Sequence, residues 1–346
     1  MNILITGATG YIGSHTLIAL CEAGFTPILL DNFCNSKRVI LPRLEAQTKQ
    51  SLKFYEGDIL DVQLLKRIFT EQKIDAVIHF AALKAVGEST QKPLEYYQNN
   101  VAGCLNLLTI MKTHHVKRFI FSSSATVYGD PASVPIQEHF PRASTSPYGR
   151  GKLIIEEILE DLIKAESDWS ITLLRYFNPI GAHESGQFGE DPQGIPNNLT
   201  PYITQVAIGN LEKVQVFGND YPTPDGTGIR DYIHVMDLAE GHIAALKICA
   251  SKAGLHIYNL GTGRGYSVLE VITAFSNAVN QADSTKSGST KAIPYEIKPR
   301  RAGDIAECWA DPTRAQKDLN WSAQRNLNQM AQDAWRWQTQ NPKGYE

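Results

Sequence analysis

Cysteine is scarce in this chain and follows no motif. Five residues (Cys21, Cys34, Cys104, Cys249, Cys308) are scattered over 346 positions, an odd number with no C-x-x-C pair. That excludes a zinc knuckle, a redox dithiol or a disulfide scaffold, and points to reduced thiols in a cytoplasmic protein. The nine histidines lack metal-ligand spacing, so no metal site is expected. Excess charge is missing too. A net charge of -3 leaves no electrostatic footprint for nucleic acid. Long apolar runs are absent: Met1-Asn2-Ile3-Leu4-Ile5-Thr6-Gly7 has no basic residue before its apolar stretch, and that stretch is too short for a signal peptide or membrane span. No internal repeat or heptad run occurs. What is present is a mixed-charge, 42% hydrophobic composition, as in a soluble globular protein of one large domain or two ordinary ones.

The opening stretch is informative in order. Ile3-Leu4-Ile5 reads as a strand buried on both faces. Gly7-Ala8-Thr9-Gly10-Tyr11-Ile12-Gly13 follows, then a helical composition over 14–23 ending at Gly24, then Pro27-Ile28-Leu29-Leu30-Asp31. Strand, glycine turn, helix, strand and acid form a dinucleotide-binding unit. Gly7 permits the turn, Gly10 lets backbone approach a pyrophosphate, and Gly13 lets the helix pack on its strand. The helix N-terminus offers N–H groups to phosphate. Asp31 can accept from adenosine ribose hydroxyls and repels a 2′-phosphate, which favours NAD over NADP. The spacing is G-x-x-G-x-x-G, one residue longer in the first gap than the usual fingerprint.

Further strands are expected at 53–58, 76–80 and 118–121, with helices around 62–69 and 93–113. This alternation predicts a doubly wound, Rossmann-like parallel sheet whose ligand sits beyond the strands' carboxyl ends. Asp58, Phe80-Ala81-Ala82 and Ser122-Ser123-Ser124 fall at such ends. Tyr148 is the only tyrosine with a lysine four residues on, Lys152, and both open a helix expected over 148–164 behind Pro147. Positions i and i+4 share a helix face. An ammonium beside a phenol stabilises the phenolate and lowers a pKa of about 10, which would let the tyrosine act as a base.

At these residues the chain resembles the extended short-chain dehydrogenase/reductase family, and within it the UDP-glucose 4-epimerase family. The resemblance rests on Ala85-Val86-Gly87-Glu88-Ser89, Ser122 through Gly129, Leu174-Arg175-Tyr176-Phe177-Asn178-Pro179, Gly194 through Leu199, and Gly228 through Val235. It runs from Met1 to about Gly344. It implies an isomerase that interconverts UDP-galactose and UDP-glucose at C4 through a transient 4-keto sugar, with tightly bound NAD. It also implies roles. Gly7, Gly10, Tyr11, Ile12, Gly13, Asp31, Asn32, Phe33, Cys34, Asn35, Ser36, Asp58, Ile59, Phe80, Ala81, Ala82, Leu83, Lys84, Asn99 and Phe177 match cofactor-contacting positions. Tyr148 matches the general base, Lys152 the residue bridging nicotinamide ribose and phenolate, and Ser124 the hydroxyl on the reacting sugar oxygen. Asn178, Asn198, Leu199, Phe217, Arg230, Arg301 and Asp304 match the nucleotide-sugar pocket, where guanidinium forks suit pyrophosphate oxygens. Cys308 stands at a position that lines the sugar pocket and can carry a bulky tyrosine. The smaller side chain implies room for N-acetylated UDP-hexoses; the alternative is a small buried residue compensated by a neighbour. A homodimer through helices 93–113 and 148–164 is implied as well.

Two rival readings are distinguishable. A sugar-nucleotide 4,6-dehydratase shares the fold and the Tyr/Lys pair but needs an acid and a base just after the Ser/Thr, where this chain has Ala125 and Thr126. A non-enzymatic dinucleotide sensor would not need Ser124, Tyr148 and Lys152. The expected layout is an NAD-binding domain over 1–177 and a smaller α+β substrate domain over 178–346, with the chain re-entering the first near 230–260. The polar stretch 285–290 is expected to be a mobile loop.

Overall fold

The structure is a computed structural model that describes residues 1–282, 292–301 and 303–346; the stretch 285–290 lies outside the described residues. Its elements are β1 (Asn2–Thr6), α1 (Tyr11–Glu22), β2 (Thr26–Asp31), α2 (Ile40–Thr48), β3 (Lys53–Glu56), α3 (Val62–Glu71), β4 (Ala76–His79), α4 (Val86–Gln91), α5 (Pro93–Tyr96), a π-helical turn (Tyr97–Ala102), α6 (Gly103–Thr113), β5 (Arg118–Ser124), a 3₁₀ turn (Ala125–Val127), α7 (Pro147–Ala165) and β6 (Ser170–Tyr176). There follow β7 (Asn178–Ile180), α8 (Leu199–Ala207), β8 (Val214–Phe217), β9 (Ile229–His234), α9 (Val235–Ser251), β10 (Gly254–Leu260), β11 (Gly265–Ser267), α10 (Val268–Ala282), β12 (Tyr295–Lys298), β13 (Glu307–Cys308), α11 (Thr313–Leu319) and α12 (Leu327–Gln340).

Among the described residues seven strands make one parallel sheet in the order β10-β6-β5-β4-β1-β2-β3. β1 to β3 run one way from the centre and β4 to β6 the other. The switch point falls between β1 and β4, where such sheets leave a crevice. One apolar core packs α1 and α9 on one face through Leu17, Ile18, Leu238 and Leu246. The other packs α3, α6 and α7 on the opposite face through Leu65, Ile68, Leu107, Met111 and Leu159. Burial on both faces is why β1 and β4 read as unbroken apolar runs.

The chain leaves this sheet after Tyr176. β11 and β13 flank β9 in a second sheet of order β11-β9-β13, and β7 pairs with β9 further along, at residues 232–234. β8 and β12 form a small parallel pair. A third core, including Ile203, Val216, Phe275 and Met330, joins α8, α10 and α12. The re-entry expected near 230–260 is therefore split. β9 belongs to the second sheet, α9 packs on the first, and β10 pairs with β6 at the large sheet's edge.

Local chemistry explains the boundaries. α1 begins at Tyr11, three residues ahead of expectation, because the glycine turn itself supplies its first turn. Gly24 takes φ +79°, past the last helical turn, where a Cβ would be strained. Ser146 accepts from the Gly149 N–H at 3.2 Å and Pro147 occupies the first position of α7. The helix expected over 93–113 is interrupted by the π turn, which carries Asn99 and Asn100. No helix among the described residues is long and apolar enough to cross a membrane.

Candidate active site

The crevice floor is the turn after β1. Gly7 has φ +70° and packs against the loop after β4 so closely that a Cβ would lie 2.7 Å from the Ala81 nitrogen. At Gly13 a Cβ would stand 2.2 Å from the Gly7 carbonyl oxygen. Gly10, by contrast, has only that oxygen nearby, at 3.4 Å, so its open side is a cradle that any side chain would fill. Gly10 caps α1 without a side-chain hydrogen bond, and the first-turn N–H groups stay open to an anion. Asp31 ends β2. Its carboxylate accepts from Thr9 N at 3.0 Å, Phe33 N at 2.9 Å and the Ser36 hydroxyl at 3.4 Å. Two carboxylate oxygens accept about four bonds, so capacity for a ribose hydroxyl remains. Turn, bare helix end and carboxylate together fit a dinucleotide.

The loops around this floor hold one another. Asn32 donates to Asp58 at 2.7 Å, and Cys34 N donates to Asn32 at 3.0 Å. Phe33, with φ +56°, faces Phe54 and Arg38. Ile59 is core and fills the space above Gly103. Ile12 packs at the edge of the first core. Tyr11 donates to Gly181 O at 2.7 Å, which ties the turn to the strand leaving the sheet. Phe80 packs on His242, with ring centres 4.9 Å apart. Asn99 donates to the Asn100 amide oxygen at 2.8 Å. Asn100, buried and not anticipated from sequence, clamps Leu83 by accepting from its N–H and donating to its carbonyl. Ala82 and Asn35 lie in these same loops.

The tyrosine, serine and lysine converge at the carboxyl end of β5. Gly149 lets the first turn of α7 press on the 3₁₀ turn; a Cβ there would meet Thr126 O at 3.0 Å. This brings Tyr148 within hydrogen-bonding reach of Ser124. Ser124 also accepts from Thr126 N and its hydroxyl, at 3.2 and 3.0 Å. Lys152 donates to Ser122 O at 2.6 Å and lies 5.9 Å from the centre of the Tyr148 ring. Burial pushes the Tyr148 phenol up to about 12, against a lowering by its bond to Ser124. Burial also lowers Lys152 to about 8. The phenol thus moves opposite to the direction expected from the i,i+4 pairing, because burial dominates its environment.

Further along α7, Glu156 shares this face. It accepts from Ser123 at 2.5 Å, from Arg175 at 2.9 and 2.6 Å, and from Arg142 at 3.1 Å. The buried clamp fixes α7 against β5 and β6, and its spacing of eight from Tyr148 was the signal available in sequence.

The other wall comes from the second sheet and the β8–β12 pair. The Arg301 guanidinium lies 4.7 Å over the Phe217 ring and donates to Asp304 at 2.9 Å. Arg230 donates to Ile229 O at 2.8 Å and stands in register with Cys308. Cys308 shares an apolar cluster with Phe177 and Ala125, and burial raises its thiol to about 11. This places it beside Arg230 and against the cluster that holds the 3₁₀ turn after β5. Asn178 opens β7, and Asn198 caps α8 ahead of Leu199. Asn198 donates to Glu190, a residue absent from the sequence-derived set, and no local pattern marks it.

A switch-point crevice with a glycine turn on one side and a Ser/Tyr/Lys set on the other defines a short-chain dehydrogenase/reductase of the extended type. The family described as GDP-mannose 4,6 dehydratase matches residues 4–334. The chain is 57% identical over 346 residues to UDP-glucose 4-epimerase of Neisseria meningitidis serogroup C, covering 100% of this chain and 99% of that protein. It is 54% identical to UDP-glucose 4-epimerase of Bacillus subtilis (strain 168) at the same coverage. The crystal structure of UDP-glucose 4-epimerase from Bifidobacterium longum in complex with NAD+ and UDP superposes with a TM-score of 0.94 at 54% identity, covering 99% of this chain and 100% of that one. The chain belongs to the UDP-glucose 4-epimerase family.

Proposed function

We propose that the protein interconverts UDP-galactose and UDP-glucose by inverting C4 of the hexose, with NAD as its resident cofactor. The observation that carries this reading is the convergence of Tyr148, Ser124 and Lys152 beside the Gly7–Gly13 turn. The C4 hydrogen of the sugar is not acidic, so direct deprotonation is prohibitively slow. When bound, NAD supplies a reversible hydride acceptor and a positive charge, and so allows a detour through a 4-keto sugar. The protein's own groups handle the proton and the geometry. Tyr148 takes the 4-hydroxyl proton while Ser124 holds that oxygen, and Tyr148 returns the proton once the keto sugar presents its other face. Lys152 stabilises the phenolate and offers donors to a ribose. Gly7, Gly10, Gly13 and the α1 N-terminus receive the cofactor phosphates, and Asp31 the adenosine ribose. Asn178, Asn198, Leu199, Phe217, Arg230, Arg301 and Asp304 hold the UDP moiety. The corresponding division of the chain is residues 1–177 for cofactor, which the chain re-enters around 230–260, and the rest of 178–346 for sugar nucleotide.

Denaturing purified protein and assaying released NAD, then following UDP-galactose to UDP-glucose, tests the reading. Protein that neither contains nor acquires NAD refutes it. Dehydration is disfavoured because Ala125 and Thr126 offer no carboxylate to remove a C5 proton. Accumulation of a keto sugar with shifted ultraviolet absorbance would reverse that judgement.

Three finer points belong to the same proposal. Cys308 leaves space beside the C2 substituent, so UDP-GlcNAc is turned over as well, and Cys308→Tyr removes that activity. Undetectable UDP-GlcNAc turnover in the parent, or its survival in the variant, refutes the point. The exposed Leu94 and Leu105, grouped with Tyr97, Val101 and Ile154 on the π turn and α7, are covered by a second copy. A monomer in light scattering sinks that assignment. The five free thiols support a cytoplasmic setting.

A further inference from the structure

A buried carboxylate beside segments assigned to diphosphate ligands is unfavourable unless it has another task. Glu190 is such a group. Its side chain is 9% exposed. One oxygen, Oε1, accepts from Lys84 Nζ at 3.1 Å and from Asn198 Nδ2 at 2.7 Å. Lys84 lies on the loop after β4, on the proposed cofactor side. Asn198 caps α8 on the proposed sugar-nucleotide side. Among the described residues no other carboxylate joins Lys84 and Asn198 through a single oxygen.

The segment that carries Glu190 is anchored from behind. Trp337 donates to Glu190 O at 3.3 Å, and Gly189 N donates to the Tyr345 hydroxyl at 3.1 Å. Beside it, Asp191 pairs with Lys37 at 3.0 Å and accepts from Tyr345 N at 2.9 Å. Gln193 donates to Cys34 O at 3.3 Å. Residues 189–193 therefore link α12 and the chain end after it to the loops after β2 and β4.

We propose that Glu190 is a positioning residue that couples retention of the cofactor to occupancy of the sugar-nucleotide side. The inference rests on the cofactor and substrate assignment above. A ligand that immobilises Asn198 immobilises the carboxylate it shares, and with it the ammonium of Lys84 over the cofactor. The second ordering event then costs less, which is positive cooperativity. For this reaction the coupling has a use. The cofactor is held most firmly while a sugar nucleotide is present, when its escape would strand a keto sugar.

The test measures NAD release from purified holoenzyme into a dehydrogenase trap, with and without saturating UDP. UDP is expected to slow release from the parent protein at least about fivefold. In Glu190→Gln the slowing is expected to shrink to less than about twofold. Asp191→Asn loosens the same segment without touching Asn198, so release quickens while the UDP effect persists. A merely structural Glu190 would change both rates and leave their ratio alone. The proposal is overturned if the parent shows no UDP effect, if Glu190→Gln keeps the parent ratio, or if Asp191→Asn loses it equally. Should Glu190→Gln not fold, Asn198→Ala at saturating UDP removes one of the two donors, and a retained ratio there overturns the proposal as well. Absence of NAD from the parent protein strikes instead at the assignment of the cofactor.

Discussion

The crevice floor is made of backbone, and the wall facing it is made of long side chains. At the floor, Gly7 N donates to Leu30 O at 2.9 Å and Gly10 N to Gly7 O at 3.3 Å, and Gly7 and Gly13 leave no room for added carbon. On the wall, Arg301 is 55% exposed and rests on Phe217. A surface built of backbone is pre-organised and pays little ordering cost on binding, but it can be altered only by blocking it. A surface built of side chains must be ordered by its ligand, and single substitutions can re-tune it. Recognition of a constant cofactor suits the first, and discrimination among sugar nucleotides suits the second.

Tyr148 carries the proposed proton transfer in the reaction between the two ligands these surfaces receive, and its loss should have the largest effect. Tyr148→Phe is expected to retain NAD yet lower kcat by about two to four orders of magnitude. Near-parental turnover would remove the tyrosine from the chemistry. Gly13→Ala tests the floor. With 2.2 Å available to the Gly7 oxygen, the turn must shift, at a cost of about 1–3 kcal/mol in denaturant unfolding and with loss of bound NAD. Unchanged NAD content would mean the turn is more plastic than its contacts indicate. Arg301→Ala tests the wall and is expected to raise KM for UDP-galactose about tenfold through one lost charged hydrogen bond, with kcat less affected. An equal fall in kcat would place this arginine nearer the reacting carbon. Lys152→Met is the finest test. Activity rises with pH as the phenol loses its proton, and without the ammonium that rise should move about one unit alkaline. A stationary profile would show that Lys152 does not tune the base.

Much of the floor was legible because it is local. Strand, turn, helix, strand and acid occupy residues 2–31, and each glycine answers a constraint set by neighbours within a few residues. The same holds for α7, where Ser146 and Pro147 mark the start and the pair at 148 and 152 shares a face. Asp31 was legible as an acid at a strand end, but its bonds to Thr9 and Ser36 were not. The break in the 93–113 helix escaped notice because a π turn needs no special residue, only a tertiary partner such as the Asn100–Leu83 clamp. The return of the chain near 230–260 was legible as a region, but its split between β9 on the second sheet and β10 on the first was not, since strand propensity carries no information about which partner it meets.

Sequence by itself determined the dinucleotide turn, the parallel α/β order and the placing of Tyr148 and Lys152 on one helix face, because short-range sterics, hydrophobic periodicity and helix geometry are written residue by residue. Tertiary structure alone decided the depth at which Tyr148 and Lys152 are buried, hence the direction of their pKa shifts. It also decided the packing of Cys308 against Phe177 and the meeting of Lys84 and Asn198 at one oxygen of Glu190. Solvent exclusion and contacts across more than a hundred residues depend on how distant segments pack, and no window along the chain contains them.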